Sequence, residues 1–138
     1  MGRYYRGDIE GKFWFGVQSS DAGVRFGCTE CEPSTIQYYT ENKEMVVEEI
    51  KRINKNLGKY KKAIKYLYKE TGELNERTLA DELVDYMFPD KSVEEKEAEK
   101  ELIDAEFLIS EFADLELGKK ILRCLNKRGS CSFEADMW

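Results

Sequence analysis

Cys28 and Cys31 bracket Thr29-Glu30 in a two-residue knuckle, and Cys124 and Cys131 bring the number of thiols to four. Four sulfurs are what a tetrahedral zinc ion accepts. The second pair does not have knuckle spacing. Cys124 falls on the apolar stripe of Leu117 and Ile121, and Cys131 on the face of Phe133. Packing therefore accounts for both, as it does for most buried cysteines. A redox role for Cys28 and Cys31 would need a helix N-terminus to lower a thiol pKa, and Pro33 with its turn-prone neighbours offers none. Histidine is absent. That excludes His-dependent nucleophile activation and any zinc site built on imidazole. The reading expects no cofactor, with the four cysteines as a weak metal alternative.

Two other sets of residues could do chemistry. Residues 51–69 hold eight Lys or Arg and no acid, interleaved with Tyr60, Tyr66 and Tyr68. Lys51, Arg52, Lys55, Lys59, Lys62 and Lys65 would track a phosphate backbone if the stretch bound nucleic acid. The competing reading is a solvated helix face, and the net charge of −6 works against general affinity for polyanions. Asp8, Glu10 and Lys12 have the acid, acid-x-lysine order of metal-dependent nucleases, where carboxylates hold magnesium. Three such residues recur by chance, and a polar turn before a strand explains them equally well. Arg6-Gly7-Asp8 spells an integrin-binding tripeptide, which would need extracellular display, and nothing in the sequence points to secretion.

The elements that must position these residues follow from periodicity. Lys12–Gln18 reads as a strand rich in aromatic and branched residues, with Phe13, Phe15 and Val17 on one face. A second strand is expected over Thr35–Tyr39. Val46, Ile50, Ile53, Leu57, Tyr60, Ile64 and Leu67 alternate by four and three, a heptad seam along one helix over about residues 42–70. Gly58 allows a bend, and Gly72 ends the helix. Asn75 is expected to cap the next helix, which stops before Pro89. Ser92 and Glu95 form a capping box for a helix running from Val93 to about Asn126, with a break near Gly118. The tail alternates: Cys131, Phe133, Ala135 and Met137 against Ser132, Glu134 and Asp136. Such a strand needs a partner, and the aromatic N-terminal strand is the natural one.

The expected architecture is a single domain over 1–138, α+β, with a small antiparallel sheet of about three strands, N- and C-terminal strands adjacent, and three or four helices. Its 138 residues suffice for a core without disulfides.

The run from Gly2 to Asp21 (GRYY-R-GDIEGKFWFGVQSSD) and the closing run GSCSFEAD at Gly129–Asp136 resemble the ends of uncharacterised small proteins of large DNA viruses and environmental viral sequences. Arg6 and the Cys28–Cys31 pair depart from that pattern. The resemblance implies a viral protein, placed in host cytoplasm or virion, and no activity.

From the residues themselves, the expectation is a non-enzymatic structural or interaction protein that forms a homodimer. The heptad seam and an excess of aromatics (Tyr4, Tyr5, Trp14, Tyr38, Tyr39 and Trp138) motivate it, because long apolar seams often pair across a two-fold axis. Other protein partners are compatible with it, and no membrane association is expected. The alternatives are a nucleic-acid-binding accessory protein and, more remotely, a nuclease.

Overall fold

A computed structural model describes residues 3–14, 16–30 and 37–136. The protein is α+β. Five antiparallel strands, β1 (Tyr4–Gly7), β2 (Gly11–Lys12), β3 (Thr29–Glu30), β4 (Gln37–Thr40) and β5 (Cys131–Ala135), are ordered β2-β1-β5-β4-β3. The count exceeds the expected three because two-residue strands close both edges. Short edge strands leave little backbone for a foreign strand to pair with. Five helices are described: α1 (Lys43–Leu57), α2 (Lys61–Thr71), α3 (Leu79–Met87), α4 (Val93–Glu101) and α5 (Ala105–Arg128).

The chain divides into two compact units, residues 1–55 with 113–138, and residues 56–112. No linker separates them: both crossings fall inside helices, α1 and α5. This is why composition shows no boundary.

In the first unit β5 is the central strand. Its alternation holds over Cys131–Ala135, with Cys131, Phe133 and Ala135 buried, and Met137 lies outside the described residues. It pairs with the N-terminal strand, Tyr5 opposite Ala135 and Gly7 opposite Phe133, and on its other side with β4, Tyr38 opposite Phe133. The N-terminal strand is Tyr4–Gly7, not the expected Lys12–Gln18. After β2 the chain turns at Trp14, whose carbonyl accepts from the N–H groups of both Val17 and Gln18. Phe13 is buried at 1 % exposure, but it reaches the core from a loop, packing its ring 5.0 Å from that of Tyr5. Aromatic content marked a buried segment there without fixing its backbone, since strand propensity largely reports burial. Of the expected second strand, Gln37–Tyr39 is extended within β4, while Thr35 and Ile36 lie outside the described residues.

Gly118 does not break α5, which is continuous from Ala105 to Arg128. A Cβ there would stand 2.5 Å from Cε1 of Phe26 and 3.3 Å from Cγ1 of Ile50. The glycine makes room for a ring that is 0 % exposed, which is a packing role. The break in the expected Val93–Asn126 helix falls earlier, at Leu102–Asp104, and the Asp104 carboxylate accepts from the Phe107 N–H at 3.1 Å as the cap of α5. Ala98 and Leu102, expected in the seam, are exposed.

In the second unit local signals hold more often. Gly58 has φ +53° and a 3-10 turn follows, so the 42–70 seam is two helices rather than one. Gly72 closes α2 in the left-handed region, its N–H on the Tyr68 carbonyl. Ser92 and Glu95 form the reciprocal capping box. Asn75 caps a turn instead of a helix, accepting from the Arg77 N–H at 2.8 Å, and α3 starts four residues later with Thr78 at the cap position. Among the described residues no helix is long and apolar enough to cross a membrane.

Candidate functional sites

Cys28, Cys124 and Cys131 are all buried, and Cys31 lies outside the described residues. Cys124 Sγ donates to the Ser130 carbonyl at 3.3 Å. Burial, then a hydrogen bond with Cys124 and the nearness of Cys124, Cys28 and Asp8, push the Cys131 thiol far above its ordinary range. A zinc ligand must give up its proton, and this setting favours keeping it. Among the described residues no three Cys, Asp or Glu side chains are grouped to hold a metal ion.

The nuclease arrangement does not assemble. Asp8 Oδ2 accepts from the Ser132 N–H at 3.0 Å and Oδ1 lies 3.5 Å from Arg128 Nη1, so Asp8 ties the turn after β1 to β5. Glu10 is exposed. Lys12 leans over the Tyr4 ring, 6.0 Å from its centroid. Arg6 of the tripeptide pairs with Asp136 at 3.2 Å.

The six candidate phosphate contacts are all exposed, but they do not lie on one straight helix. Lys51, Arg52 and Lys55 belong to α1, and Lys62 and Lys65 to α2, beyond the turn at Gly58 that holds Lys59. Two are also committed to acids of their own helix: Lys51 to Glu48 at 3.8 Å, and Arg52 to Glu49 at 3.0 Å. Lys59 sits over the rings of Tyr60 and Phe88.

The heptad seam is spent inside the chain. Val46, Ile53, Leu57 and Ile64 are each 0 % exposed. Tyr5 and Tyr38 are core residues, while Tyr4 is exposed and Trp138 lies outside the described residues. Exposed apolar side chains are otherwise scattered, as at Val24, Met45, Val93, Leu102 and Phe107, but two others meet. Tyr66 of α2 and Tyr86 of α3 stack with centroids 4.7 Å apart and planes 23° from parallel, yet they stay 44 % and 49 % exposed. Lys62 and Lys69 stand one turn either side of Tyr66, and Glu82 stands one turn before Tyr86. The α2 side of the pair is basic and the α3 side acidic. The sequence contained Tyr66 only as an interleaved aromatic. Its pairing with a residue twenty positions on has no local signature.

A second feature escaped sequence reading. Along α5, Lys120, Arg123, Cys124 and Lys127 share a face, and with Arg128 they wall an open groove of about 340 Å³ whose other side is the Asp8–Glu10 turn. From sequence, Lys127 and Arg128 suit a helix C-terminus; their meeting with residues 8–10 depends on the β1–β5 pairing.

Comparison with protein-family models, with curated proteins and with solved structures gave no match.

Proposed function

We propose that the protein is a non-enzymatic interaction protein that acts as a homodimer, with the Tyr66–Tyr86 pair at the centre of the contact. The exposed stack carries this reading. Two aromatic rings held face to face at half exposure form a rigid apolar platform, and tyrosine is over-represented among residues that dominate binding energy. Lys62 and Lys69 on one side and Glu82 on the other make the surface self-complementary. A two-fold axis through the stack sets Lys62 of one α2 against Glu82 of the partner's α3, and the reverse. Val46, Ile53, Leu57 and Ile64 of the heptad seam are buried, so the seam does not supply this contact. The resemblance of the chain's two ends would place such a dimer in a viral context, in host cytoplasm or virion.

Sedimentation equilibrium tests the proposal. The wild-type chain is expected to be dimeric at tens of micromolar, roughly the range of a Kd near 1–10 μM. Tyr86→Arg, at an exposed position, should sediment as a folded monomer. A wild-type chain that stays monomeric at that concentration rejects the reading.

Nucleic-acid binding is a second reading, favoured only by the exposure of Lys51, Arg52, Lys55, Lys59, Lys62 and Lys65. It requires binding that weakens steeply with salt.

A further inference from the structure

We infer that the groove between the C-terminal half of α5 and the Asp8–Glu10 turn binds a compact dianion, a phosphate monoester. This goes beyond the homodimer and does not depend on it.

Four cations and two carboxylates line the groove. Arg128 is opposed by Asp8 at 3.5 Å, and Asp8 is also engaged by the Ser132 N–H. Lys120 Nζ is fixed by the Tyr5 hydroxyl at 2.7 Å and the Glu10 carbonyl at 3.1 Å, and it lies over the Tyr5 ring. All of those partners are neutral, so none of them offsets the Lys120 ammonium, and they hold it in a set position. Arg123 and Lys127 are exposed and have no ion pair among the described residues. The helix dipole explains cations at the last turn, Lys127 and Arg128, but its effect fades within that turn. It does not explain Lys120 and Arg123.

Shape and chemistry narrow the ligand. The volume suits a small molecule or a single side chain. Arg123 offers a planar fork that matches phosphate oxygens, and Lys120 a held ammonium. Lengthy polyanions are opposed twice, by Glu10 at the rim and by the net charge of −6. A single dianionic group meets the same Glu10 carboxylate but brings far less charge, and the four groove cations outnumber the two carboxylates.

Phosphorus NMR titration with phenyl phosphate is the test, run on the full chain. Saturable binding is expected in the wild type. Arg123→Glu with Lys127→Glu should weaken it by about tenfold or more, since two charge-assisted contacts are reversed. Thermal unfolding checks that the variant folds, which is expected because both side chains are exposed and neither has an ion pair among the described residues. Arg123→Lys should keep part of the affinity, and Glu10→Gln should raise it. A phosphoserine peptide as second probe distinguishes the source: tighter binding than phenyl phosphate indicates a modified protein, and equal or weaker binding a free small molecule. Failure to saturate by roughly 20 mM phenyl phosphate, far weaker than a useful site, overturns the inference. So does unchanged affinity in the double variant.

Discussion

The two units of the chain use charge in opposite ways. In the first, charges are turned inward. Arg25 of the 3-10 turn Ala22–Phe26 bridges Glu49 of α1 at 2.8 Å and Asp114 of α5 at 2.7 Å, and Asp114 also accepts from Gln18 at 2.9 Å. Glu49, Asp114 and Gln18 are all buried. Gln18 in turn accepts from the Trp14 N–H at 3.0 Å, so one network fastens Trp14, Gln18 and the 3-10 turn to two helices far away in sequence. In the second unit Glu111 is buried and accepts from Asn56, but the ion pairs lie in part at the surface and mostly reach neighbouring helices. Lys96 meets Asp85 at 3.1 Å, Lys100 meets Asp81 at 2.8 Å, and Lys91 meets Glu99 at 2.9 Å. Buried charges must be paired or the fold pays heavily; exposed pairs contribute little each. The first unit is thus a scaffold with a specified interior, and the second leaves its aromatic and charged surface available for contact.

The sharpest way to break this contrast is Arg25→Met. It leaves two buried carboxylates without their shared cation, and the expected loss is about 3 kcal/mol in urea unfolding. A loss near zero would mean that the inward network does not specify the first unit. Next comes Gly118→Ala. The added methyl meets the Phe26 ring, and overpacking should cost about 2 kcal/mol. A stabilising effect, as an alanine gives in an open helix, would contradict the packing role.

The smallest effect belongs to the second unit. Ser92→Ala should cost about 1 kcal/mol at pH 7 through loss of the cap. The pH dependence sharpens it. The Ser92 backbone and side chain hold the Glu95 carboxyl below its ordinary value of 4.5, and the Lys91 ammonium does the same for Glu99. A depressed carboxylate stabilises the fold fully above 4.5, and that contribution is lost as pH falls through the depressed value. The gap between wild type and Ser92→Ala should therefore narrow in acid. A gap that is unchanged at low pH would separate the cap from the Glu95 charge.

What was legible in the sequence follows the same division. Ser92 with Glu95, Gly72 and the possible bend at Gly58 are signals within a few residues, and they hold. So does the alternation of Cys131–Ala135, because a central strand buries one face. Lys12–Gln18 misled because an aromatic-rich loop that packs into a core has the composition of a strand. Gly118 misled because its reason is Phe26, ninety-two positions away. The candidate sites were less legible still. Tyr66 finds Tyr86, and Arg123 faces the Asp8–Glu10 turn, only after the chain has folded; the basic row at 51–69 is continuous in sequence, and the turn at Gly58 divides it.

The proposal that the second unit's surface pairs with itself is tested most directly by exchanging its charges. Lys62→Glu and Glu82→Lys are each expected to weaken dimerisation in sedimentation equilibrium by about fivefold, through like charges set opposite one another. The chain carrying both should regain wild-type association. Single variants that associate as the wild type does, or a double variant no better than either, would contradict the two-fold contact.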